Sequence, residues 1–112
     1  MSINRDHETV YTNIKDTRRA CIESILKLKG ERKYYIGATK NAEQRLNDHM
    51  LKNKMKNMYV LVSNLTKSQA VKLEEQLIKR FNSESKTNKC INQSGGGEGI
   101  DGGNNCVYIL FK

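Results

Sequence analysis

The chain has 112 residues and a formal charge of +8, from 20 Lys and Arg against 12 Asp and Glu. This length supports one domain with one modest core, and the charge favours a polyanionic partner, nucleic acid ahead of acidic metabolites. Three cysteines with no C-x-x-C pair, and only two histidines, argue against both a disulfide framework and a structural zinc site. Residues 1–8 contain no apolar h-region and the longest apolar runs elsewhere are strand-length. Neither secretion nor a membrane span is suggested, and an intracellular setting, cytoplasmic or nuclear, is expected.

In residues 1–30 the apolar positions Val10, Ile14, Cys21, Ile25 and Leu28, with Ile22 and Leu26 beside the last three, recur at helical spacing. They predict one or two helices, with Thr17 or Asp16 as a cap and Gly30 as the stop after Lys27 and Lys29. This N-terminal helical extension is expected to cover one face of a sheet, because Arg18 and Arg19 alone are too few to make a nucleic-acid patch. Residues 32–36 carry β-forming tyrosines and predict a strand that ends at Gly37 in a tight turn. Asn41 then caps a helix whose buried side is Ala42, Leu46 and Met50. On that helix Arg45 and His49 stand one turn apart at the edge of the apolar stripe.

A lysine-rich turn at residues 52–56 leads to a β-branched run at residues 58–62, typical of a covered strand. Thr66 caps the most regular helix, from Lys67 to about Asn82, with Ala70, Val71, Leu73, Leu77, Ile78 and Phe81 on its apolar face. At 100° per residue Glu74 falls in the middle of this face and Glu75 at its margin. An unpaired carboxylate so buried costs several kcal/mol, so it must be neutralised, paired with a cation or bound to a metal. The helical wheel leaves a structural ion pair with Arg45 or a lysine and a metal site equally open. Residues 82–89 read as a polar loop. The glycine run 95–97, after Asn92, could bring backbone N–H groups to a phosphate or be a plain linker. Residues 106–112 form a strand. The fold class that follows is α+β, a small three-stranded antiparallel sheet flanked by helices, one domain over residues 1–112 with its core in residues 31–112.

Tyr35-Ile36-Gly37, then Asn41, Arg45 and His49, resemble the GIY-YIG nuclease domain. Two later stretches agree: Ala70-x-x-x-Glu74-x-x-Leu77-Ile78, similar to the helix that carries that family's metal-binding glutamate, and Asn92 followed by glycines. The resemblance implies a divalent-metal-dependent endonuclease that cleaves DNA phosphodiester bonds. Tyr35, helped by Tyr34 or His49, would be general base or proton relay. Arg45 would clamp the phosphoryl oxygens. Glu74 would hold one Mg2+ or Mn2+, a role that suits magnesium because it keeps several waters and completes its shell with phosphate. Lys40, Asn92, Gly95 and Gly96 would meet the nucleic-acid backbone. The alternative is a catalytically inactive nucleic-acid-binding module on the same scaffold, although binding alone does not need Glu74.

The resemblance also leaves a gap. A strand with the family's first tyrosine normally precedes Tyr-Ile-Gly as the other arm of a hairpin, yet residues 21–30 read as a helix and contain no tyrosine. Val107-Tyr108-Ile109-Leu110 matches that strand, with Cys106 where the family often has glycine. The expectation is a circular permutation, in which this terminal strand pairs antiparallel to residues 33–37 and sets Tyr108 beside Tyr35. The competing expectation is the ordinary order, with residues 24–29 as a degenerate first strand.

Overall fold

A computed structural model of the protein describes residues 2–30, 32–53, 57–84 and 102–111, and the side chains of these except at residues 2, 49–53 and 83–84. The elements in chain order are β1 (Ser2–Asn4), α1 (Ile14–Lys29), β2 (Tyr34–Thr39), α2 (Ala42–Asn53), β3 (Asn57–Leu65), α3 (Lys67–Glu84) and β4 (Asn105–Phe111).

Local chemistry accounts for the helix ends. Asn13 caps α1, its Oδ1 accepting from the Asp16 N–H at 2.8 Å. The cap is therefore neither Thr17 nor Asp16. Thr17 is buried inside the first turn, and its Oγ1 accepts from the Thr12 N–H at 3.1 Å. Val10 lies before the helix and is exposed, so the apolar stripe begins at Ile14. Gly30, at φ +49° and ψ −129°, takes a positive-φ conformation that glycine adopts at little steric cost where α1 ends. Asn41 caps α2 through the Gln44 N–H at 3.1 Å. Thr66 and Gln69 form a reciprocal capping box at the start of α3, at 3.2 and 3.0 Å.

The sheet order is β1-β3-β4-β2, with β4 antiparallel to both neighbours and β1 parallel to β3. Among the described residues the sheet therefore has four strands where three were expected. The additional one is β1, which pairs Ile3 with Met58, and a further bridge joins Thr9 to Val62. Residues 24–29 belong to α1, which removes the ordinary strand order built on them. The terminal strand pairs as expected: Tyr34 opposes Phe111, Tyr35 opposes Leu110 and Gly37 opposes Tyr108. Strand β2 does not stop at Gly37 but runs on to Thr39, opposite Cys106.

Alternation along the strands sorts side chains onto two faces. One face, with Tyr34, Ile36, Leu61, Val107, Ile109 and Phe111, packs under α1 through Cys21 and Ile25 and under α3 through Ala70, Leu73, Leu77, Ile78 and Phe81. The other, with Met58, Val60, Cys106, Tyr108 and Leu110, packs under Leu46 and Ala42 of α2 and Ile3 of β1. Strand β4 is buried at every position. Asn105 at its start is fully buried, and its Nδ2 donates to the carbonyls of Leu65 and Gly102 at 3.2 and 3.3 Å, tying β4 to the β3–α3 junction.

Among the described residues β4 alone joins β2 to β3, so removal of residues 106–112 takes β2 out of the sheet and strips the side chains that β4 buries on both faces. The truncated chain is expected to lose its cooperative thermal transition, as followed by circular dichroism; a truncated chain that still melts cooperatively would contradict this placement of β4.

Candidate active site

Tyr35 and Tyr108 lie on the α2 side of the sheet as diagonal neighbours across the β2–β4 pair. Their rings stack with centroids 6.5 Å apart and 26° between planes. Gly37 makes room for this arrangement. A Cβ at that position would meet the Tyr108 hydroxyl, with Cζ at 2.5 Å and Cε2 at 3.0 Å. The glycine is therefore needed for space rather than for a turn, which explains why the strand continues beyond it.

Tyr108 is the electrostatic centre of the group. Burial raises its phenol above the ordinary tyrosine value, the neighbouring Tyr35 raises it further, Arg45 opposes the rise, and Glu74 and Cys106 add to it. The phenol therefore stays protonated at neutral pH. These influences place Arg45 of α2 and Glu74 of α3 within electrostatic reach of Tyr108. Arg45 is half-buried beside fully buried Leu46. Glu74 is 3% exposed, and its helical neighbours Ala70, Leu77 and Ile78 are all core residues, whereas Glu75 is exposed. The helical wheel distinguished the two glutamates correctly.

The other expected site residues separate. Tyr34 faces the opposite layer, 2% exposed, with its ring edge-on to Phe81 at 6.0 Å and tilted against Phe111 at 6.2 Å. It is a core residue and stands apart from Tyr35, as any two consecutive strand residues must. Lys40 is exposed just after β2 and lines a groove of about 710 Å³ with Ile3, Arg5, Asn41, Glu43 and Asn47. Arg5 is a cation that the sequence pattern did not single out. It is held 3.2 Å from Glu8 and is felt by Cys106, two residues from Tyr108 on the same strand and face. Burial pushes the Cys106 thiol up to about 11 and Arg5 partly offsets this. His49 lies on α2 one turn after Arg45, but its side chain is outside the described ones. Asn92, Gly95 and Gly96 lie outside the described residues.

Among the described residues no group of three or more His, Cys, Asp or Glu is assembled to hold a metal ion. The donor set at the tyrosines is one buried carboxylate, Glu74, with a guanidinium and two phenols nearby. This fits an ion that takes few protein ligands and completes its shell with water and phosphate, as magnesium does. No described helix is long and apolar enough to cross a membrane.

Strand, helix, strand and helix, with Tyr35, Arg45 and Glu74 carried on three of them, define a GIY-YIG fold. The model of the GIY-YIG catalytic domain matches residues 21–89, more than half of the chain, and the protein belongs to that family. No curated protein and no solved structure gives a significant match to the chain.

If Gly37 serves the Tyr108 ring, Gly37→Ala is expected to destabilise the fold by about 1–3 kcal/mol in chemical denaturation, as overpacking does. In a Tyr108→Ala background, itself destabilised, the same Gly37→Ala change should cost little, because the clash then has no partner. Additive losses in the two variants would mean that the glycine serves something other than the ring.

Proposed function

We propose that the protein is a divalent-metal-dependent endonuclease acting on DNA phosphodiester bonds, with the family's first strand supplied by β4 in a circularly permuted order. The observation that supports the activity is the stack of Tyr35 on the buried Tyr108, whose phenol Arg45 and Glu74 both influence electrostatically. Binding alone does not need a buried carboxylate that acts on the site phenol. The permutation is supported by the position of β4 between β2 and β3, with its tyrosine against Gly37. The matched segment, residues 21–89, contains Tyr35 but not that strand.

Cleavage requires that a water lose its proton, that the phosphate tolerate extra charge, and that the leaving oxygen be stabilised. Tyr35, less buried than Tyr108, takes the proton from the attacking water or relays it. A neutral tyrosine is a poor base, with an ordinary pKa of about 10, so a nearby positive charge must favour its phenolate; Arg45 supplies one. Tyr108, held protonated, offers its O–H to the oxygen that gains charge. The planar fork of Arg45 binds two phosphoryl oxygens as the new P–O bond forms and the old one breaks. Glu74 would hold the divalent ion, Mg2+ or Mn2+, which when bound would supply positive charge for the departing oxygen. Lys40 and Arg5, in the groove beside α2, hold the backbone of the substrate on either side.

Supercoiled plasmid incubated with the protein should be nicked with magnesium and left intact with EDTA. Retardation of the plasmid without cutting would support the inactive binding module instead. Glu74→Ala should still fold, and should lose cleavage while retaining DNA binding. Unchanged cutting by this variant would end the assignment of Glu74 as ligand.

Arg45→Lys tests the transition-state contact separately, because a point charge lacks the guanidinium fork. Its single-turnover rate on saturating DNA is expected to fall by about 100-fold or more. A near wild-type rate would reduce Arg45 to a surface charge.

A further inference from the structure

A second basic surface lies on the other side of the sheet, between the two helices that cover it. A groove of about 270 Å³ runs between α1 and α3, lined by Arg18 and Ile22 from α1 and by Gln76, Lys79 and Arg80 from α3. Three of these five residues are cationic and none is acidic. The helices α1 and α3 pack on the face of the sheet that carries Ile36 and Ile109, whereas Tyr35 and Tyr108 are on the opposite face. The groove is thus separate from the tyrosine site and from the Lys40–Arg5 groove.

Two features make it more than a scatter of surface charge. Arg18 hydrogen-bonds across the groove to Gln76 Oε1. An amide oxygen orients the guanidinium without neutralising it, and leaves it N–H groups for an anion. Ile22 is half-buried against the core and gives the groove an apolar floor, along which the stems of Lys79 and Arg80 can lie with their charged ends outward. Each helix alone carries too few cations on this side, and packing brings them together. Lys15 precedes Arg18 by three residues and Lys72 precedes Gln76 by four, so both exposed lysines extend the same faces beyond the groove.

We propose that the α1–α3 groove binds a phosphodiester segment of nucleic acid away from the scissile bond, so that the protein holds DNA on two faces. Charge complementarity selects the ligand, since three cations lining one groove match a line of phosphates, and the net charge of +8 favours a polyanion throughout. The inference rests on the reading of the protein as acting on DNA, but not on the cleavage chemistry.

The test is binding of a fluorescent DNA duplex by anisotropy over a range of salt, with plasmid cleavage measured in parallel. The triple variant Arg18→Gln, Lys79→Gln, Arg80→Gln should bind about tenfold or more weakly at low salt, with a log–log salt slope shallower by about 2–3, one unit per lost phosphate contact. Its cleavage rate at saturating DNA should match the wild type. The charge-retaining variant Arg18→Lys, Lys79→Arg, Arg80→Lys should restore most of the affinity, which a merely misfolded protein could not explain. Wild-type cutting and binding with an unchanged slope in the triple variant would overturn the groove alone and leave the nuclease reading intact. Binding of poly-glutamate that depends on these residues while DNA binding does not would overturn it in favour of an acidic protein partner. A wild-type protein that neither binds nor cuts DNA would overturn both.

Discussion

The close approach of the Tyr108 ring to Gly37 is the contact on which the site depends. It fixes the register of β2 against β4, because a slip of one residue would turn Tyr108 to the opposite face and bring a side chain where only a hydrogen fits. With that register set, Tyr35 falls diagonally beside Tyr108 and the two phenols stack. It also buries Tyr108 fully, and burial is the largest cause of its raised pKa. One missing side chain therefore bears on strand pairing and ring placement together.

Around this contact the sheet divides its labour. Its α1–α3 face carries the larger cluster of aliphatic and aromatic side chains, and the α2 face carries the tyrosines under a smaller one. Glu74 is the exception, a carboxylate on the core-facing stripe of α3 that nevertheless influences the phenol on the other side of the sheet. A buried carboxylate is costly unless something positive meets it. Arg45, on the opposite face, acts on the same phenol with the opposite sign.

Much of this was legible locally. Asn41, Thr66 and Gly30 carry their capping information within three or four residues, and all three mark helix ends in the structure. The separation of Glu74 from Glu75 follows from helical geometry alone, and the antiparallel pairing of the terminal strand followed from its likeness to a strand absent upstream of Tyr35. Other features had no local signal. Strand β1 is three residues long with no alternation to read, and it exists because β3 offers an edge. The continuation of β2 through Gly37 was hidden because a glycine punctuates sequence in the same way whether it turns the chain or admits a neighbour's ring. Tyr34 had a signal that the pairing of two tyrosines obscured, since consecutive strand residues cannot share a face. Arg5 and the α1–α3 groove are assembled by packing between distant segments, which no window of sequence contains.

The position of β4 has a consequence for how the fold is reached. Among the described residues strands β2 and β3 have no hydrogen-bonded contact with each other, and both depend on a strand that follows them in the chain. In a hairpin order the two tyrosine strands would be joined by a short turn and could pair early. Here Tyr35 and Tyr108 are brought together only after the chain has run through α2, β3 and α3. Closing so long a loop must be offset by contacts that form late, and full burial of β4, with Asn105 clasping the β3–α3 junction, concentrates those contacts on one strand. Assembly of the tyrosine pair is thereby tied to completion of the sheet, so the pair cannot form in a partly folded chain that still lacks β4.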